Sequence, residues 1–312
     1  MDLQTPSVRD ATLSAIRFRL GGTSVVDHRS DPSALRFLIG HDLRAARERS
    51  GFKQVEAGKV LGCSQAKINY LETGKTQQKP DQVTALLRAY GADVEHVDRM
   101  SSLAARADQN TWWAPFDDVL PNWFKTFVGL EGLATTESNY GSLVLPGQLQ
   151  TPGYAAALLH NNLRVPPMDA QQVVRARMAR QRLTDGVRPL HIRAVIEEYA
   201  LDRIVGSHAI MRAQLEHLLE LMHLDNVEIH VMPVSVPVHD GLDGDFLLLD
   251  FEEAQSIGYI EYPTGAIYIQ DQDQVAAYNL SVDRLCAAAL SVSDSAEAIA
   301  ARIAALGTSS ED

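Results

Sequence analysis

From Leu35 to Ala46 the apolar residues Leu35, Leu38, Ile39, Leu43 and Ala46 recur at helical spacing, with Arg44, Arg47 and Arg49 off that stripe. The pattern predicts an amphipathic helix that begins after Asp31-Pro32-Ser33, where Ser is a favoured N-cap, and ends near Ser50-Gly51. A segment from Gln54 to Leu61 follows, then a break at Gly62, a segment from Ser64 to Glu72 and a break at Thr73-Gly74. Helices over Pro80 to Tyr90 and Val94 to Ala107 complete a group of five short helices. Residues 1–33 mix polar and charged side chains with weak period and are expected to form a disordered leader.

Beyond Asp108 the pattern changes. Trp112-Trp113-Ala114-Pro115-Phe116 is too aromatic for a flexible linker and is expected to pack between two domains. Tyr140 to Leu145 reads as a strand closed by Pro146-Gly147, and Thr151 to His160 and Asp169 to Leu183 read as helices. Thr151 is placed to cap the first of these, with Pro152 at its first position. Val227, Ile229 and Val231 alternate with Glu228 and His230, and Phe246 to Phe251, Ile257 to Glu261 and Ala266 to Ile269 are further strand signals. Met211, Leu215, Leu218, Leu219 and Met222 form one helical stripe and Gln272 to Leu290 another, and each suits either a dimer contact or the domain's own core. The reading is a mainly helical domain over 34–108, a larger α+β domain over 109–306 with a mixed sheet and helices, and a tail over 307–312.

A length of 312 residues agrees with two units, at roughly 150 residues per domain. No stretch approaches the roughly 20 apolar residues of a membrane span, and the first 33 residues lack the apolar run of a secretory signal, so a cytoplasmic protein without membrane contact is expected. Cys63 and Cys286 stand alone, without metal-ligand spacing, so no metal and no cofactor is expected. The net charge of −12 argues at first against a nucleic-acid partner. Between Ser33 and Tyr90, however, ten basic residues (Arg36, Arg44, Arg47, Arg49, Lys53, Lys59, Lys67, Lys75, Lys79, Arg88) face five acids (Asp42, Glu48, Glu56, Glu72, Asp81). A small basic domain on an acidic body is the charge pattern of a duplex binder that resists indiscriminate adhesion.

The run Gln54 to Gly74 sharpens that expectation. Two helices that cross closely need a small residue at the crossing, a turn residue tolerant of positive φ, and a branched apolar plug in the second helix. Gly58, Gly62 and Ile68 stand four, eight and fourteen residues after Gln54, in that order, and Leu71 adds a further core position. The second helix of such a pair enters the major groove with its leading side chains toward base edges.

At these residues the chain resembles the XRE family of phage-repressor-like regulators: a Gln opens the first helix, a Gly makes the turn, Ser-Gln opens the recognition helix, and Leu-Glu-x-Gly closes it. The resemblance covers about Leu35 to Tyr90 and departs at Gly58, where Ala is usual. It implies a phage-repressor-like helical bundle and double-stranded DNA as partner. It also implies that Gln65, Ala66, Asn69 and Tyr70 face bases while Gln54, Ser64, Lys67, Lys75 and Arg44 hold phosphates. Such modules bind as dimers with half-sites about 34 Å apart, so a homodimer on a pseudo-palindromic operator is expected.

Downstream, Trp112-Trp113, Leu130-Glu131, the run Val144 to Ala155 and the run Val238 to Phe246 resemble actinomycete regulators that join an XRE module to an antitoxin-like domain. That likeness implies a transcription regulator whose C-terminal domain binds a small protein partner. A small-molecule pocket in that domain, or an enzyme with an appended DNA module, are the competing readings. His239, Asp240, Asp243 and Asp245 have neither EF-hand nor His-pair spacing and read as a tight loop, and Arg175, Arg177, Arg180 and Arg182 read as a solvated helix face. With no triad, zincin or phosphate-loop signature, no catalytic residue and no enzyme is expected.

Overall fold

The computed structural model describes residues 31–106, 112–160, 162–184 and 188–308. Of the leader expected over residues 1–33, residues 1–30 lie outside the described residues and 31–33 form the cap and start of the first helix; 107–111, at the expected domain boundary, and 309–312 of the tail also lie outside.

Helix α1 spans Pro32–Arg49. Its N-cap is Asp31 rather than Ser33: the Asp31 carboxylate accepts from Ser33 N and Ala34 N at 2.8 and 2.9 Å, and Pro32 takes the first turn, where its missing N–H costs nothing. Then come α2 (Gln54–Leu61), α3 (Gln65–Glu72), α4 (Pro80–Ala89) and α5 (Val94–Arg106). Their apolar stripes meet in one core of Leu35, Ile39, Leu43, Ala57, Ile68, Leu71, Val83, Leu86, Leu87 and Val97.

The second half opens with α6 (Asn122–Leu133), which the periodicity reading missed. A six-stranded mixed sheet follows, in the order β3-β2-β1-β4-β5-β6. Its strands are β1 (Thr136–Gly141), β2 (His191–Glu197), β3 (Val227–Met232), β4 (Phe246–Asp250), β5 (Ile257–Tyr262) and β6 (Gly265–Ile269). β1, β2 and β3 run parallel, whereas β4, β5 and β6 join antiparallel from β1 outward. The parallel half is linked by α7 (Pro152–Leu159) and α8 (Ala170–Arg180), then by α9 (Glu198–Asp202) and α10 (His208–Leu221). α11 (Gln272–Ala288) and α12 (Val292–Thr308) close the chain, so the helix α12 runs through the start of the expected tail.

Both sheet faces are covered. Ile192, Ala194, Ile196, Ile229, Leu247 and Leu249 pack with α6, α7, α10 and α12 on one side. Val195, Phe246 and Leu248 pack with Val275, Val282 and Leu285 of α11 on the other. The architecture is a helical N-terminal domain followed by an α+β domain with a mixed sheet.

The structure bears on three further expectations. The first strand is Thr136–Gly141, not Tyr140 to Leu145, because the chain turns back at Gly141, leaving Leu145 O to accept from Gln150 Nε2 at 2.7 Å. Of the stripe on α10, Met211, Leu215 and Leu218 are buried in the chain's own core, and Leu219 and Met222 pack against it partly exposed. The arginines of α8 are not one solvated face. Arg175 is exposed, but Arg180 forks onto Glu131 at 2.7 and 2.8 Å inside the core. Arg182, two residues past the end of that helix, is also buried and donates to the carbonyls of Glu131, Ala134 and Arg188.

The two domains share α1. One of its faces enters the helical core through Leu35, Ile39 and Leu43, and a neighbouring face joins the larger core through Ala34 and Leu38. Trp113 donates its ring N–H to Asp31, Phe37 meets Tyr268 with ring centroids 5.1 Å apart, and Leu133 of α6 touches both cores. A Cβ at Gly129 of α6 would lie 2.9 Å from the Ala34 Cβ, so this crossing needs a residue without a side chain.

Candidate nucleic-acid interface

The α2–turn–α3 unit is assembled from close contacts. A Cβ placed on Gly58 would sit 2.7 Å from the carbonyl oxygen of Cys63, so the turn between the helices lies directly against α2. Gly62 ends α2 with φ 61° and ψ 36°, a left-handed conformation that favours glycine, and its N–H returns to the carbonyls of Gly58 and Lys59. Ser64 opens α3 in extended conformation, and its hydroxyl oxygen accepts from Lys67 N at 3.3 Å. Ile68 and Leu71 are then buried in the core.

What remains of α3 faces outward: Gln65, Ala66, Lys67, Asn69 and Tyr70 are exposed, Tyr70 by 47%. Gln54 and Gln65, eleven positions apart, are brought side by side, Gln65 Nε2 lying 3.4 Å from Gln54 Oε1. The ammonium of Lys75 stands 6.0 Å from the centroid of the Tyr70 ring. Arg44 lies on α1 and pairs with Glu48 at 3.0 Å. Among the described residues nothing joins Arg44 to α3.

Sequence reasoning missed the group that fixes the angle of this unit. Arg47 is buried, with Nε 2.6 Å and Nη2 3.1 Å from the two Glu72 oxygens, and it also donates to Phe52 O. Gln54 Nε2 donates to Glu72 Oε2 at 2.9 Å, and Gln78 Nε2 bridges Arg36 O and Leu71 O. Glu72 thus ties α1, α2 and α3 together, while its place in Leu-Glu-x-Gly was the only signal of it. Across the same domain His96 of α5 bonds the buried Asp42 of α1 at 2.7 Å, which raises the His96 pKa.

Comparison with known proteins bears on both halves. A domain of unknown function, DUF5753, matches residues 124–301, more than half of the chain. The chain belongs to that family. A helix-turn-helix domain matches residues 38–100, which supports a DNA-binding regulator. No curated protein and no solved structure matches the chain. Among the described residues no helix is long and apolar enough to cross a membrane, and no group of three or more His, Cys, Asp or Glu is placed to hold a metal ion.

The DUF5753 domain carries a cleft of about 690 Å³ at the carboxyl ends of β1 and β2. Its walls are the turn after β1, the short helix α9, and the loop from His239 to Gly244 that leads into β4. At its base Glu197 Oε1 accepts from the Tyr140 hydroxyl at 2.9 Å and lies 3.2 Å from His239 Nε2. Gly241 N donates to His239 Nδ1 at 3.2 Å, which turns the other ring nitrogen, Nε2, to Glu197. Burial, and next the Glu197 carboxylate it donates to, push the Tyr140 phenol up from its ordinary pKa. Tyr140 and Glu197 stand on neighbouring strands and His239 on a loop that passes beside them, so no local spacing could reveal the group.

Proposed function

We propose that this protein is a sequence-specific transcription regulator that binds a pseudo-palindromic operator as a homodimer. In this reading Gln65, Ala66, Asn69 and Tyr70 read bases, and Gln54, Ser64, Lys67, Lys75 and Arg44 hold phosphates. The observation that carries it is the outward row of amide, lysine and tyrosine side chains on α3, backed by the Gly58 crossing and the Glu72 ties. The test is recovery of genomic fragments by the purified chain, followed by titration of the sites found. Replacing Gln65 and Asn69 with Ala should flatten sequence preference, while Lys67→Ala should weaken all sites alike and lower the salt slope by about one. Equal, sequence-independent loss in every variant would overturn the division of roles, and a monomer on a single half-site, measured by light scattering, would overturn the dimer.

For the larger domain we favour ligand sensing over capture of a small protein, because an open cleft of about 690 Å³ with apolar walls and a carboxylate at its base gives a small molecule a place to bind. Co-purification from the native host separates the two, since a stoichiometric small protein supports an antitoxin-like pairing and a retained small molecule supports sensing. The cleft is a receptor rather than a catalytic centre in this reading. His239 Nδ1 accepts from Gly241 N and Nε2 faces Glu197, so the imidazole is held by its neighbours rather than aimed into the cleft.

A further inference from the structure

The geometry points to a ligand of defined chemistry for this cleft: a small apolar amine, its ammonium seated on Glu197 and its hydrocarbon body against Leu143, Tyr199 and Leu242. The inference rests on the ligand-sensing reading and names what would be sensed.

The polarity of the base decides the head group. The Tyr140 hydroxyl donates to Glu197 Oε1 and His239 Nε2 lies 3.2 Å from the same oxygen, so both side chains beside the carboxylate at the base are turned to one of its oxygens. Among the described residues no hydrogen bond reaches the second oxygen, Glu197 Oε2, and Tyr140 retains an oxygen lone pair. A base that only accepts hydrogen bonds selects a donor, and a carboxylate makes a cation the better donor. At the mouth Asp202 is paired with Arg302 at 2.7 Å and the exposed Arg203 is positive, whereas the charged group at the base, where the inner end of a ligand would sit, is the Glu197 carboxylate.

The apolar lining decides the body of the ligand. Leu143, Tyr199 and Leu242 line the cleft and are exposed by 59%, 60% and 63%, an unusual concentration of large apolar side chains at one opening. The Tyr199 ring adds a face that attracts a cation. The cleft lies where ligands bind in open sheets with parallel strands, outside their carboxyl ends, at the strand where parallel pairing gives way to antiparallel.

The test is calorimetric titration of the full chain at neutral pH with octylamine, 1-octanol and octanoate, each below its aggregation limit. One octylamine should bind per chain at least tenfold tighter than octanol, and octanoate more weakly than both. Glu197→Gln should bring octylamine to within threefold of octanol. Leu242→Lys, an exposed change that leaves folding intact, should weaken both by at least tenfold. Octanoate binding as tightly as octylamine, a preference unchanged in Glu197→Gln, full binding by Leu242→Lys, or no binding of any of the three would each overturn the assignment. The same titration against a recovered genomic fragment separates the layers: octylamine that binds the chain but leaves DNA affinity unchanged supports the site and defeats the sensing reading.

Discussion

Gly58 shows how a departure from a familiar pattern acquires a physical reason once its neighbour is known. By helix propensity alone, alanine there should add roughly 0.5–1 kcal/mol of stability. The contact at 2.7 Å is with a backbone carbonyl, which cannot swing aside as a side chain would. Gly58→Ala should therefore destabilise the chain by about 1–3 kcal/mol, the usual range for overpacking, read from urea unfolding. A stabilised variant would refute the crossing geometry. Glu137 makes a second case. It is wholly buried beside Glu131 and Arg180, and burial, then the Glu131 charge, push it up to about 8. The unfolded chain ionises this group near its ordinary 4.5, while the folded chain keeps the proton up to about 8. Its contribution is therefore complete below about 4.5 and is lost as pH rises through 8. Resistance to urea should be greater at pH 5 than at pH 8.5, and Glu137→Gln should remove much of that slope. At this scale the sequence was legible where chemistry is local, as at Gly62 or Ser64. It was opaque where a partner is remote, as with Arg180 on Glu131 or Arg47 on Glu72.

Helices with one apolar stripe were legible as elements because their period marks the single face they bury. The elements missed lack that signature. β2 is covered on both faces, with Ile192, Ala194, Val195 and Ile196 all buried, so it shows no alternation. α12 carries alanines between Ile299, Ile303 and Leu306, and small residues blur its stripe. α1 was legible only in part: the stripe from Leu35 to Ala46 was read as one face, yet Leu38 turns away from it into the larger core. Because α1 belongs to both cores, Leu38→Ala should cost about 2–5 kcal/mol, as buried leucines do. It should also lower the melting of both domains together, followed by calorimetry. Two transitions, with only the later residues affected, would mean that α1 does not couple them.

At the scale of the whole chain, the α+β class and the basic first domain could be read from pattern and charge alone. The cleft could not, because its parts are scattered among β1, β2 and a distant loop and only the parallel register of β1 and β2 brings them together. That contrast is general in physical terms: a duplex reader works with consecutive turns of one helix, whereas a pocket is made by topology.

The shared helix has a consequence for the operator itself. With α1 packed into both cores, the reading head is held to its own body, so in the proposed dimer the bodies would set the separation and rotational phase of the two heads. One base pair added between half-sites turns the second by about a tenth of a helical turn, and a rigid dimer must twist the duplex to follow. Gel-shift titration of spacer variants should show affinity falling steeply for one added or removed pair, whereas a tethered, swivelling head would tolerate both.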